Sequence, residues 1–209
     1  IYMSCILVFI PLLVNAELST RDAWDNLKKL LETGGYQVIG QENLVGSDLS
    51  IKNVQISFEV DAQTNINFDI GSLNLTKNKD GFININLPEE FYVQYLNEDE
   101  FGYKTEANIL VRARELDFKV SGKISQVLYQ LTASSAGFAL VELLDNGVTS
   151  PDFSAEMEFV LADVNSTIRV AGVSSIEVTS LLSASGASLK GGLSVLSVPL
   201  KLNFQYVMD

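Results

Sequence analysis

The stretch SDLSIKNVQISFEV, residues 47–60, decides the fold class of the chain. In its second part apolar side chains stand at every other position, at Val54, Ile56, Phe58 and Val60. This period of two is typical of a β-strand that buries one face and exposes the other to water. Leu49 and Ile51 follow the same alternation on the opposite parity, so the phase changes near residues 52–53, and this change predicts a β-bulge.

The same alternation recurs along most of the chain. Alternating runs occur at residues 66–70, 83–87, 91–95, 109–113, 116–120, 127–131, 157–161, 168–170, 176–178 and 200–206. Asp80-Gly81 suits the tight turn of a hairpin, because both residues accept a positive φ. Further phase changes at Gly71 and near residues 114–115 predict a sheet that bends rather than lies flat.

Two later segments give a weaker signal. Residues 138–144 are almost continuously apolar, so periodicity leaves open whether they form a short helix or a buried strand. Residues 183–192 are rich in Ser, Ala and Gly, a composition that favours a flexible connection.

One amphipathic helix precedes the strands. Ser19 and Asp22 have the spacing of a capping box at its start, and the glycines at 34–35 end it. Between them Trp24, Leu27 and Leu31 recur at helical spacing. We expect this apolar stripe to cover the protein's own sheet; the alternative is a contact with a membrane surface or a partner.

Composition excludes several kinds of chemistry. The chain has 209 residues and a formal net charge of -12, so a nucleic acid backbone would be repelled. Histidine is absent from the sequence, which excludes Ser-His-Asp and Cys-His catalysis and imidazole metal sites. The single cysteine, Cys5, lies in the N-terminal segment.

Residues 1–16 are predicted to be a secretory signal peptide. Residues 6–14 form an apolar run that is shorter than the roughly 20 residues of a membrane span, and Ala16 suits cleavage by signal peptidase. The alternative is an uncleaved membrane anchor. We therefore expect a periplasmic or secreted protein whose residues 17–209 form a single β-rich domain. The last alternating run reaches the end of the sequence, so the natural protein is expected to continue beyond Asp209.

The expected fold is mainly β, with a large curved antiparallel sheet, half-barrel or sandwich-like, and one N-terminal amphipathic α-helix. Eight residues are candidates for its hydrophobic face: Trp24, Leu27, Leu31, Val54, Ile56, Phe58, Phe68 and Phe118. The aromatic side chains at 58, 68, 82, 91, 95, 118 and 129 are expected to belong to the core rather than to a ligand platform.

Several short segments resemble a known family. They are Trp24 in its helix, Gly35-Tyr36, residues 47–51, residues 71–76 followed by 78–81, Leu87-Pro88-Glu89 and Val120-Ser121-Gly122. Over roughly residues 20–145 the chain resembles the exported alphaproteobacterial family catalogued as domain of unknown function 2125. The resemblance implies a location in the bacterial envelope and brings no established activity or catalytic residues.

We therefore expect a non-enzymatic envelope protein that binds lipid or another hydrophobic ligand on the concave face of its sheet. One alternative is a structural or adhesin-like subunit of an envelope assembly, with another envelope protein as its partner. The other is a hydrolase that uses two carboxylates on carbohydrate. The acidic run Glu98-Asp99-Glu100 is expected to be an exposed loop, and the sequence indicates no catalytic, cofactor-binding or metal-binding residues.

Overall fold

The computed structural model describes residues 17–149, 153–171, 177–195 and 200–208. Its elements are α1 (Thr20–Thr33), β1 (Tyr36–Val45), β2 (Asp48–Glu59), β3 (Thr64–Lys77), β4 (Ile83–Asn86), β5 (Glu90–Glu98), β6 (Lys104–Arg114), β7 (Asp117–Lys123), β8 (Gln126–Asp145), β9 (Val148–Thr149), β10 (Phe153–Ala171), β11 (Glu177–Ser183), β12 (Gly186–Val195) and β13 (Leu200–Met208). The predicted fold class is confirmed: these strands form one large, curved antiparallel sheet, not a closed barrel, and one helix accompanies it. The predicted signal peptide, residues 1–16, lies outside the described residues.

The sheet has two halves, because the long strands β3, β8 and β10 each pair with one strand along one part of their length and with another strand along the rest. One part of β3 pairs with β4 and the other with β5, while β8 pairs with β7 and then with β6. Strand β10 pairs with β11 and then with β12. We call the half that contains β4, β7 and β11 the helix half, and the half that contains β5, β6 and β12 the far half.

The two halves meet at a line of backbone irregularities. Asn53, Gly71 and Asp163 have positive φ angles of 53°, 75° and 47°. The register of β1 against β2 shifts at Gly40, and that of β2 against β3 shifts around residues 52–55. In β2, β3 and β10 the irregularity changes the strand's parity by one residue, so the apolar side chains stay on the same face across the bend. The phase changes predicted at 52–53 and Gly71 are thereby confirmed.

The phase change near residues 114–115 is also confirmed, in the connection between β6 and β7. Glu115 has a positive φ of 52° there. Because the turn follows directly on β6, the chain leaves the far half at Arg114 and enters the helix half at Asp117. The two short strands therefore lie one beyond the other beside the long strand β8.

The helix packs on the helix half, as predicted for its apolar stripe. Trp24 is only 2% exposed, and its indole Nε1 donates a 2.8 Å hydrogen bond to Glu42 Oε1 on β1. Thr20 Oγ1 donates to the backbone oxygen of Ser47 at 2.7 Å, which fixes the start of the helix against the β1–β2 turn. Ser19 caps the helix with Asp22 in the predicted capping box.

The core lies between α1 and the helix half. Its fully buried large side chains come from β2, β3, β4, β7 and β8: Leu49, Ile51, Val54, Leu75, Ile83, Val120 and Val127. Ile51 lies so close to β1 that a Cβ on Gly40 would be 2.6 Å from its Cγ2. Tyr129, also buried, donates from its hydroxyl to Asn26 Oδ1 on the helix at 2.7 Å. Burial raises the pKa of the Tyr129 phenol well above its usual range.

The two segments whose secondary structure the sequence indicated only weakly, residues 138–144 and 183–192, lie mostly in strands. Residues 138–144 belong to β8, so the strand alternative is the correct one. The prediction of a flexible connection at residues 183–192 is wrong, because β11 extends to Ser183 and β12 begins at Gly186 and pairs with both β10 and β13. Backbone hydrogen bonds hold these strands without large side chains, so the small residues do not prevent pairing. Within the described residues no helix is both long and apolar enough to cross a bilayer.

Candidate functional site

The eight predicted hydrophobic-face residues separate into three groups. Trp24 and Val54 belong to the core beneath the helix. Leu27, Leu31, Ile56 and Phe118 are partly buried and pack against that core. Phe58 and Phe68 lie in the far half, where the Tyr36 ring centroid is 4.8 Å and 6.3 Å from theirs. This last pair lies on a surface that the helix leaves uncovered, and Ile56, beside Phe68 on the neighbouring strand, links that surface to the core.

The far half continues the apolar face of the core across its strands. Strand register places its apolar residues in three transverse rows. The first row is Tyr36, Phe58, Ile66, Tyr95, Ala107 and Leu143. The second is Val38, Ile56, Phe68, Val93, Ile109 and Leu140. The third is Phe91, Val111, Phe138, Phe159 and Leu189. We call these three rows the far apolar face.

Most of the far apolar face is only half-buried. Val38 and Val93 are buried, whereas the remaining members keep an intermediate exposure. Its aromatic side chains contact one another across strands, as Phe138 and Phe159 do with ring centroids 5.4 Å apart. The predicted core position of the aromatic set is thus confirmed fully for Tyr129 alone, since the other six are half-buried. Two of these six, Phe82 and Phe118, lie outside the far half.

The opposite face of the far half is mainly polar, although Ile39 and the buried Leu110 also lie on it. One row across it consists of Gln37, Ser57, Asn67, Gln94, Asn108 and Glu142. A hollow of about 530 Å³ opens on this face. Its polar lining consists of Gln37, Gln55, Ser57, Asn67, Asp69, Tyr92, Gln94 and Asn108, and Ile39, Ile56 and Phe68 supply apolar surface beside them. We call it the polar groove. The sequence analysis expected a ligand on a concave apolar face, whereas this hollow lies on the polar one.

The polar groove is weakly charged and its side chains are largely free to bind. Asn108 Nδ2 donates to Glu142 Oε2 at 2.9 Å, and Gln94 Nε2 makes a long contact of 3.4 Å to Glu106 Oε2. Within the described part of the chain, no side-chain hydrogen bond involves Gln37, Gln55, Ser57, Asn67, Asp69 or Tyr92. Asp69 is the one ionisable carboxylate among the lining residues.

Sequence reasoning followed the apolar parity and missed this groove. The signal was present in the other parity of the same strands. Neutral Asn or Gln side chains recur on that parity, at residues 55, 65, 67, 94 and 108. Charged residues or threonine would serve equally well to keep the exposed face of a strand soluble. The pattern that would have indicated the polar groove is a recurrence of neutral amides on the solvent-exposed parity of several neighbouring strands.

The acidic run at residues 98–100 is an exposed hairpin loop, as predicted. Asp99 accepts hydrogen bonds from the backbone amides of Phe101 and Tyr103, each at 2.9 Å, so its carboxylate is used to shape the loop. Lys104 pairs with Glu98 across the hairpin at 3.2 Å. Among the residues that the structure describes, no group of three or more Asp, Glu, His or Cys side chains is arranged to hold a metal ion.

Comparisons with family models, with curated proteins and with solved structures found no match to the chain. The resemblance to domain of unknown function 2125 therefore rests on the quoted sequence segments alone.

Proposed function

We propose that the protein is a non-enzymatic component of the bacterial cell envelope that holds a lipid acyl chain against its far apolar face. The observation that carries the proposal is the set of three apolar rows that extend beyond the helix and remain half-exposed. Removing apolar surface from water is favourable by roughly 25 cal/mol per Å². A ligand that covers these rows therefore gains binding energy over its whole length.

The dimensions of the far apolar face suit an acyl chain. The first two rows cross six strands, and neighbouring strands lie about 4.8 Å apart, so each row is about 24 Å long. The acyl chains of one leaflet fill about 15 Å, half of the roughly 30 Å hydrocarbon core. One row is therefore long enough to accommodate a complete chain.

The chemistry of the rows also fits a lipid. No member carries a charge, so binding an alkyl chain desolvates no ionised group. The first row contains Tyr36 and Tyr95, whose hydroxyls provide polar ends beside apolar rings. An ester or headgroup at that end of the face would find hydrogen-bond partners there.

The envelope location rests on the sequence. The signal-like segment at residues 1–16 and the resemblance to an exported family support it. It is tested by expressing the full gene product in a bacterium, fractionating the cells and determining the mature N-terminus by mass spectrometry. Cleavage before Glu17 with recovery from the periplasm or medium is expected; recovery of the intact chain from the cytosol would contradict the location.

The lipid proposal is tested first on natively purified protein. Mass spectrometry of its organic extracts should show lipid in stoichiometric amount. Binding of a fluorescent fatty acid is then compared between wild type, Ile66→Glu on the far apolar face and Asn65→Glu on the opposite face. Ile66→Glu should weaken binding at least tenfold, because an ionised carboxylate would have to be desolvated beside the chain. The proposal fails if extracts lack lipid repeatedly, or if both variants bind as wild type does.

A second candidate, a subunit of an envelope assembly, is favoured by β11. Leu181 and Leu182 are 70% and 63% exposed, and within the described residues β11 pairs with β10 only. An exposed apolar strand at an edge recruits another strand readily. Light scattering of the full chain should show an oligomer that Leu182→Asp dissociates and Val148→Asp, at another exposed apolar position, does not. A monomer at all accessible concentrations would rule out self-assembly through β11.

A further inference from the structure

We infer that the polar groove binds a neutral oligosaccharide. The groove opens on the polar face of the far half, and among its lining residues only Ile56 and Phe68 also belong to the far apolar face. Its hydrogen-bonding groups are therefore distinct from the proposed lipid site. Its volume of about 530 Å³ falls within the roughly 300–1,000 Å³ that is usual for ligand sites.

The hydrogen-bonding groups of the groove match those of a sugar. Gln37, Gln55 and Asn67 each present a primary amide with an acceptor oxygen and two donor hydrogens. A sugar hydroxyl is likewise donor and acceptor at once, so adjacent amides and hydroxyls can satisfy each other. Because these amides make no side-chain hydrogen bond within the described chain, a sugar would replace their water partners without breaking protein contacts.

An exposed aromatic ring supplies the apolar part of such a site. Tyr92 is 55% exposed at the groove and lies beside Asp69 on the neighbouring strand. Tyrosine combines an apolar ring face with a polar tip. The C–H face of a pyranose can stack on this ring while its hydroxyls reach the amides and the Asp69 carboxylate.

The charge of the groove selects against other ligand classes. The chain carries a net charge of -12, so a phosphorylated or otherwise anionic polymer is repelled from it. Asp69 is the one carboxylate among the lining residues, which is too little negative charge to favour a polycation. Glycoside hydrolysis uses a pair of carboxylates. The inference is therefore one of binding without cleavage.

The test is calorimetric titration of the full chain with short neutral oligosaccharides of the cello, malto and N-acetylglucosamine series, and with an oligogalacturonate as the anionic probe. At least one neutral series should bind saturably. Tyr92→Ala should weaken that binding about tenfold through loss of stacking, and Gln55→Ala should weaken it severalfold. Tyr103→Ala is the matched control, because this tyrosine is 47% exposed but lies outside the groove.

Three results would overturn the inference: absence of binding in every neutral series, equal weakening by Tyr92→Ala and Tyr103→Ala, or preference for the anionic probe. Ile66→Glu, on the opposite face, should leave oligosaccharide affinity unchanged. Loss of lipid binding in that variant with normal sugar binding separates the two sites, and failure of either proposal can be recognised without the other.

Discussion

Replacing Gly40 by alanine should destabilise the folded protein by about 1–3 kcal/mol, the range for forcing a methyl group into a packed core. The new Cβ would be 2.6 Å from Ile51 Cγ2, well inside van der Waals contact. It would also be 3.4 Å from Val54 Cγ2, an ordinary contact distance. Ile51 is completely buried, so it has little room to move away. The cost therefore comes from one identifiable pair of methyl groups.

A double-mutant cycle isolates that pair. Ile51→Ala alone should cost about 2–5 kcal/mol, because it leaves a cavity in the core. It also removes Cγ2, so the Gly40→Ala methyl then fills part of the cavity, and the double variant should be at least about 1 kcal/mol more stable than additivity predicts. Ile51→Val is the matched control, since valine keeps the Cγ2 atom. Its coupling to Gly40→Ala should stay within about 0.5 kcal/mol of zero.

Urea denaturation of the full chain measures these free energies. Trp24 is the only tryptophan, and it is buried between helix and sheet, so its fluorescence reports on the packing of the helix half. Equal slopes of the transitions must accompany the shifts in midpoint for the free energies to be compared. If Gly40→Ala proves neutral, or if its cost is the same in the Ile51→Ala and Ile51→Val backgrounds, the proposed packing of β1 on β2 is refuted.

Three further predictions concern the cap, the buried phenol and the pairing of the long strands. Ser19→Ala should lower the free energy of unfolding by about 1 kcal/mol in urea titration, because the N-cap oxygen is lost. Tyr129→Phe should cost about 1–1.5 kcal/mol at neutral pH, because Asn26 loses its donor. The pKa of Tyr129 is raised in the folded state, so the unfolded chain binds fewer protons above about pH 10, and wild-type stability should fall there by up to about 1.4 kcal/mol per pH unit; this contribution should be absent in Tyr129→Phe. Gly137→Ala should destabilise by more than about 2 kcal/mol, because its Cβ would collide with the backbone oxygen of Phe159 on β10.

Each of these three predictions has a control and a result that would contradict it. Ser125→Ala, in an exposed turn, should be neutral, and an equal effect at both serines would exclude the capping contribution. Wild type and Tyr129→Phe losing stability in parallel above pH 10 would show that another group titrates. Ser135→Ala, on the same strand as Gly137, should cost less than about 0.5 kcal/mol; a tolerated Gly137→Ala would contradict the close approach of β8 and β10.

The fold class was predictable because alternation is a local signal. The run around Val54 and Ile56, the capping box at Ser19 and the phase change at Gly71 are each determined by neighbouring residues. The prediction of a flexible connection at residues 183–192 was wrong because the structure of this segment is determined by distant residues rather than by its neighbours. Their pairing depends on a long-range backbone ladder to β10, to which composition gives no access.

The candidate sites were predictable only in part. Strand alternation groups Phe58 and Phe68 with the apolar parity of their strands. Which apolar residues the helix covers depends on where α1 lies, and that is fixed by contacts such as the one between Trp24 and Glu42. Predicting the polar groove would have required knowledge of which strands are neighbours in the sheet. Gln55, Asn67 and Tyr92 become neighbours only because β3 pairs with β2 on one side and with β5 on the other.

The bend between the two halves makes the fold sensitive to the number of residues in each long strand, because one residue more or less reverses the faces of the strand beyond it. Deleting Asn53 would rotate the residues of β2 from Val54 to Glu59 onto the other face. Val54, Ile56 and Phe58 would then leave the apolar face, and Gln55 and Ser57 of the polar groove would take their positions. Removing two residues at once would restore the parity. Along β2, β3 and β10 we therefore expect related sequences to gain or lose residues at this line in pairs.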